Sequence, residues 1–388
     1  MTTRPAPSLW LLSLASSLSP FGMIVVVPTL AALAERYAVG QGQVQYLIAT
    51  YLFGLGVGQP LAGALSDRHG RRPVILAGFV LFTVASGACT VVSSFPALLA
   101  CRVLQALGVS VGTVGSRAIV RDTHDALGAA RALSWIGAAM GVAPVLGPLV
   151  GGFLSASAGP QSVFAASTAL GLVVTIAMSL RLRETRRLAP RQEERQNWLT
   201  SYGQLLRSRV FVGYTLMYAF MQGCFFAFLA VAAVVFEDHL GINEATFGAI
   251  WGAMGLIYVA GAAGGGRLTS RIGMRRALLW SMVLSAPSGA FLLLDVAVSG
   301  VTLAGLLAPL TLLMFAAGIQ TPLSVAGAVN CRPDIAGTAA GLSSSVALVL
   351  SGSFSIIAGN IYAGDFLPVA ALIAASSAMA GVTYWLTR

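Results

Sequence analysis

The sequence predicts an all-α membrane protein of twelve spanning helices, arranged as two pseudo-symmetric six-helix bundles. Three observations carry that prediction. Apolar residues fill 57% of the 388 positions and charged residues only 9%, whereas a water-facing fold carries roughly 25%. Twelve stretches approach the length of about 20 apolar residues that a membrane crossing needs. The third observation is an internal echo. Gly63-Ala64-Leu65-Ser66-Asp67-Arg68-His69-Gly70-Arg71-Arg72 follows the second stretch, and Gly266-Arg267-Leu268-Thr269-Ser270-Arg271-Ile272-Gly273-Met274-Arg275 follows the eighth. Both obey a Gly-x-Leu-x-x-Arg-x-Gly-x-Arg frame, so the halves read as a duplication with a cavity between them. A soluble enzyme is excluded, and no extramembrane stretch is long enough for a further domain.

The first span, near 8–33, is too long for a signal peptide and is expected to remain in place. The second, near 43–65, ends in the first copy of the frame. There Gly63 is expected to admit a neighbouring helix, Gly70 to permit a tight turn, and Asp67 to pair with Arg68, Arg71 or Arg72. Pro73 can open the third span, near 73–92, because its missing N–H costs nothing in a first turn. The fourth, near 96–119, holds Arg102 about six residues from its outer end, or roughly 9 Å at helical rise. Arginine at mid-bilayer costs about 2.5–3.5 kcal/mol on insertion scales, so it needs a polar cavity or a partner. Two readings stay open at this point: a structural arginine bonded to backbone carbonyls, or a cavity cation that modulates coupling or touches substrate. Gln105, one turn further in, could share its face. The fifth span, near 131–154, carries Gly147, Gly151 and Gly152 for close packing and Pro144 and Pro148 for a kink. The sixth lies near 161–181.

The segment 182–210 divides the chain into halves 1–181 and 211–388, and with its edges Arg181 and Arg209 it holds eight arginines. Trp198, Leu199, Tyr202, Leu205 and Leu206 recur in it at helical spacing, which predicts an amphipathic helix on the inner membrane surface. The remaining spans lie near 211–235, 245–264, 277–297, 300–323, 338–360 and 366–386. All 23 basic residues are arginine, and 21 of them fall on or at the edge of the loops of one side; Arg36 and Arg102 are the exceptions. The opposite loops carry Glu35, Glu237, Asp238, Glu244, Asp295 and Asp365. Arginine beside a span stays cytoplasmic, so both termini are expected inside. The net charge of +10 therefore reflects topology and predicts no nucleic-acid partner. Cys89, Cys101, Cys224 and Cys331 show neither metal-ligand spacing nor a disulfide framework. The spans offer no nucleophile–base or metal constellation, so neither an enzyme nor a resident cofactor or metal is expected.

Gly63 through Leu76, reading GALSDRHGRRPVIL, resembles the loop motif between spans two and three of the major facilitator superfamily. Arg102-Val103-Leu104-Gln105-Ala106-Leu107-Gly108, Arg117-Ala118-Ile119-Val120-Arg121-Asp122 and Ala143-Pro144-Val145-Leu146-Gly147-Pro148-Leu149-Val150-Gly151-Gly152 are similar to its drug/proton antiporters, above all the bicyclomycin and chloramphenicol resistance branch. The resemblance implies a monomeric exporter in a bacterial cytoplasmic membrane, moving a small molecule outward in exchange for protons. It implies a charge cluster of Asp67, Arg71 and Asp122, an antiporter seal at Gly147, Pro148, Gly151 and Gly152, and a cavity walled by spans one, four, seven and ten. The candidate walls here are Ser16, Met23, Arg102, Gln105, Tyr214, Tyr218, Gln222, Phe225 and Gln320. Aromatic faces with a few polar groups suit a bulky amphipathic ligand.

One departure separates this chain from that branch, whose members often carry an acid in span one, four residues before a proline. Ile24 holds the place here, ahead of Pro28. Proton coupling needs an ionisable group with alternating access, and Glu35, Asp67 and Asp122, all at span ends, are the nearest candidates. The missing carboxylate argues against lipophilic cations and favours neutral or anionic solutes. Drug efflux and secretion of an endogenous metabolite such as a siderophore both fit, and fold does not dictate transport direction, so uptake stays open as well.

Overall fold

The computed structural model describes residues 8–124, 126–185, 198–332 and 335–387. The linker residues 186–197 and the side chains of Pro144, Trp198, Leu199 and Glu244 lie outside that description. Among the described residues all regular structure is helical. Twelve helices are long and apolar enough to cross a membrane, and we number them as spans: 1 (Leu9–Arg36), 2 (Gly42–His69), 3 (Arg71–Val91), 4 (Phe95–Thr123), 5 (Arg131–Ala158), 6 (Ser162–Arg181), 7 (Arg209–Leu240), 8 (Ala245–Ile272), 9 (Met274–Ser299), 10 (Leu303–Asn330), 11 (Ala336–Ile361) and 12 (Leu367–Thr387). Spans 4, 7, 8 and 10 run past the ends that hydropathy predicts. Hydropathy follows the hydrocarbon, while the helix continues until its backbone meets a turn.

The duplication is visible in the backbone. Gly70 (φ 99°) separates spans 2 and 3, and its counterpart Gly273 (φ 82°) separates spans 8 and 9. Both sit at positive φ, where a side chain is strained and glycine is not. Span 1 is interrupted: helix runs from Leu9 to Ile24, a 3-10 turn covers Val27–Thr29, and helix resumes at Leu30. Pro28 has no N–H to continue the ladder, which accounts for the break.

The halves meet along two seams, span 2 against span 11 and span 5 against span 8. Small residues make both possible. A Cβ at Gly248 would stand 2.5 Å from the Pro148 carbonyl oxygen, and one at Gly42 would stand 2.6 Å from that of Gly359. Gly63 does not act this way, because the nearest atom to a Cβ there is on Val114 at 3.7 Å. The close approach of spans 2 and 4 lies higher, at Gly58 and Gly54, where a Cβ would meet Ser110 at 2.9 Å and Ala106 at 2.7 Å.

The face opposite the arginine-rich loops is closed. The turn at Val27–Thr29 packs on spans 7 and 8, and the Tyr46 hydroxyl donates to Asn360 Oδ1 at 3.5 Å. Nearby, Tyr362 has its phenol pushed up to about 12, first by burial and then by the charges of Asp238 and Asp365. Below that seal, spans 1 and 4 do not pack extensively on spans 7 and 10, which points to a cleft between them on the arginine-rich side. The linker helix, Trp198–Arg207, docks on the second bundle. Its Leu205 is buried among Phe211, Ala328, Ile335 and Ala339, while Leu206 is exposed. Its apolar face is thus shared between protein and surroundings, not given wholly to a membrane surface.

Candidate functional site

Arg102 is fully buried, and every contact it makes is within the first bundle. Nε donates to the Leu47 carbonyl at 3.2 Å, and Nη1 donates to the Gly22 carbonyl at 3.0 Å and to Gln105 Oε1 at 2.6 Å. Gln105 Nε2 passes the chain on to Ser86 Oγ at 2.7 Å, and the guanidinium lies 4.2 Å above the Tyr51 ring. One reason is local: Gly22 lies where span 1 leaves its helix, so its carbonyl is available to a side-chain donor. Arg102 and Gln105 therefore tie spans 1 to 4 together and do not line the cleft, which corrects the cavity placement. This is the structural reading of the arginine. Its Nη2 alone lacks a partner.

At the arginine-rich face, Asp67, Arg71 and Asp122 come together. Arg71 Nε donates to Asp122 Oδ2 at 3.1 Å, and Nη1 reaches Asp67 Oδ1 and, at 2.8 Å, Ser66 Oγ. Arg71 and Asp122 side chains are 13% and 20% exposed while Asp67 is 66% exposed, so the cluster presents one open carboxylate. Glu184, which sequence reasoning missed, completes it. Its Oε1 and Oε2 accept from the backbone N–H groups of Arg71 and Arg72 at 3.0 and 3.1 Å. A carboxylate there meets both the unpaired donors and the positive end of span 3. Nothing in local spacing announces this, because Glu184 arrives from beyond span 6.

In span 5 the small residues face two partners. Gly147 and Gly151 lie on span 1, where a Cβ at Gly151 would fall 2.1 Å from the Val25 carbonyl oxygen. Pro148 turns its carbonyl to Gly248 of span 8, and Gly152 is buried. A separate apolar groove of about 890 Å³ runs between spans 1, 5 and 6, lined by Trp10, Leu14, Phe21, Trp135 and Leu146 among others. No residue of the second half lines it.

The wall candidates divide. Ser16 is buried with its hydroxyl donating to the Gly112 carbonyl at 3.3 Å, and Met23 is also buried. Gln320 is buried, donating to the Met217 carbonyl at 3.3 Å with Oε1 unpaired. Tyr214, Tyr218, Gln222 and Phe225 are half-buried. Phe225 packs against Phe226 and Trp251. Across from Tyr218 stands Arg117 of span 4, exposed although it lies inside a span and near enough to feel the phenol electrostatically. Sequence reasoning placed Arg117 at a loop edge. The usable signal was its spacing from Thr113 and Arg121, four residues on either side along one helix face.

The Major Facilitator Superfamily model matches residues 12–356. Multidrug resistance protein D of Escherichia coli is 31% identical over 86% of this chain and 84% of its own length. A chloramphenicol resistance protein of Pseudomonas aeruginosa is 30% identical over 90% and 84% respectively. Among solved structures, the D-xylose-proton symporter superposes with a TM-score of 0.75 at 16% identity, covering 97% of this chain and 96% of that one. A bacterial homologue of the human lysosomal transporter Spinster, inward-facing and occupied, superposes at 0.76 and 16% identity over 98% and 96%.

Proposed function

This chain belongs to the major facilitator superfamily, and from that premise we propose that it exports a small amphipathic molecule, a drug such as a phenicol, by alternating access. It is a membrane transporter and not an enzyme. The reading rests chiefly on the cleft between spans 1 and 4 and spans 7 and 10, sealed at one face and open at the arginine-rich face. Taking that face as cytoplasmic, the molecule is inward-facing in a bacterial inner membrane and ready to load from the cytoplasm. The names of the two relatives, each concerned with resistance, favour efflux over uptake.

Protons are the driving ion that the family resemblance favours, with Glu35, Asp67 and Asp122 as carriers at the span ends. The Asp67–Arg71–Asp122 cluster then acts as one side of a latch. Exposed in this state, Asp67 is free to meet the second bundle when the cleft closes. A desolvated charge contact of that kind biases a two-state equilibrium by its differential energy in the two states. A second reading, export of an endogenous metabolite such as a siderophore, is favoured by isoleucine at position 24 and by the exposed Arg117.

Inverted membrane vesicles with an acidic interior and a pH-sensitive dye test this directly. Proton release on adding phenicols, bicyclomycin, hydroxamate or catecholate siderophores, or cationic dyes identifies both coupling and substrate class. Labelled substrate that moves without proton release would remove the antiporter mechanism and leave the transporter.

A further inference from the structure

Arg117 differs from Arg102, also within span 4, in having nothing to hold. Arg102 is enclosed by carbonyls, an amide and an aromatic ring. Arg117 makes no hydrogen bond and no ion pair among the described residues. It lies six residues before the end of span 4 at Thr123, roughly 9 Å along the helix. Its electrostatic neighbour is Tyr218 of span 7, and Arg121, one turn on along the same helix face, stands 3.1 Å from a Cβ built on Gly337 of span 11, so this face of span 4 looks toward the second bundle. The acid closest in sequence, Asp122, is engaged with Arg71.

The surroundings reinforce this. Arg121, one turn closer to the arginine-rich face, is exposed and lies beside Gly337 of span 11. Two like charges four residues apart repel on a helix surface, and a charge within a membrane span is costly unless something pairs with it. One turn the other way, the Thr113 hydroxyl is buried without a partner. On the second bundle, Tyr258 of span 8 lies within electrostatic reach of Tyr218, and Gln320 Oε1 of span 10 has no hydrogen-bond partner. Both bundles thus bring unsatisfied polar groups to the level of Arg117, and the net charge they present is positive.

We propose that Arg117, backed by Arg121 and faced by the hydroxyls of Tyr218 and Tyr258, is an anion subsite that receives the carboxylate of an amphipathic organic acid. The guanidinium binds the two oxygens side by side in its planar fork. The phenols donate from the opposite wall, and the aromatic faces of the second bundle hold the apolar body. Because the two groups come from different bundles, the bound anion bridges the halves and favours closure of the cleft around itself. This inference rests on the export reading above for the direction of movement, not for the binding itself.

Binding is measured on the full chain in lipid nanodiscs with matched pairs: 2-naphthoate against 2-naphthamide, and anthracene-9-carboxylate against its amide. The wild-type protein should bind each acid at least about tenfold more tightly than its amide, the effect expected of charge-assisted hydrogen bonds. Arg117→Gln should bring that ratio close to one while the amide binds as before. Arg117→Lys should keep part of the preference, and Arg121→Gln should lower it by only a few fold. A wild-type protein without acid preference overturns the subsite, as does an Arg117→Gln protein that keeps it. Should Arg117→Gln fail to fold, the Lys variant decides, because a full wild-type preference in the absence of the fork would overturn bidentate capture. A protein that prefers the acids but carries none of them across liposomes retains the subsite and loses the export reading.

Discussion

At the scale of single residues, burial alone separates two arginines of one helix. Arg102 satisfies carbonyls of spans 1 and 2, so Arg102→Ala would strand Gly22, Leu47 and Gln105 groups in a low-dielectric interior. Each buried polar group left unpaired costs about 1–3 kcal/mol. The variant should therefore unfold several degrees lower in detergent and accumulate poorly. Normal thermal stability with transport abolished would return Arg102 to the transport cycle. Glu184 is a capping residue held from a distance, and Glu184→Ala should cost about 1 kcal/mol, typical of a lost helix cap. Differential scanning of the purified variant would reveal it, and no change in midpoint would mean that solvent replaces the carboxylate without loss. Arg102 stood out in the sequence because a charge interrupts an apolar run. Its partners outside span 4 did not, since they come from positions 22, 47 and 51 with no mutual periodicity.

At the scale of elements, spans 1 and 5 are joined where Gly151 faces the Val25 carbonyl at a distance no side chain fits. Gly151→Ala should force the two helices apart and reduce both yield and transport. Wild-type behaviour would show that span 5 can slide without consequence. The loop between spans 2 and 3 is tested differently, through the latch proposed for its charges. Asp67→Asn should shift cysteine accessibility between the two mouths of the cleft by weakening the state in which the arginine-rich face is shut. Unchanged accessibility would make Asp67 a passive loop charge. The span order, the turn at Gly70 and the glycines of span 5 were legible from residue types. The packing role expected of Gly63 belongs to Gly58 and Gly54, because which glycine meets a neighbour depends on the crossing point of two helices.

At the scale of the whole molecule, the inward-facing state proposed here depends on the seal at the face opposite the arginine-rich loops. In a protein lacking Cys89, Cys101, Cys224 and Cys331, a pair introduced as Tyr46→Cys and Asn360→Cys should be bridged by a reducible bifunctional thiol reagent that spans the space left by the two side chains, whose tips meet. The bridged protein should be locked and inactive, and reduction should restore transport. Full activity in the cross-linked form would mean that the seal stays closed throughout the cycle. Composition, arginine sidedness and the repeated frame by themselves determined the membrane class, the twelve spans and the twofold plan, because the bilayer imposes those constraints on each segment separately. The tertiary structure decided which polar residues are internal ties and which face the cleft. It buried Arg102, Gln105, Ser16 and Gln320, left Arg117 exposed, and brought Glu184 to the start of span 3. Those assignments depend on where distant helices cross and kink, and a helical pattern along one segment carries no information about its neighbour's position.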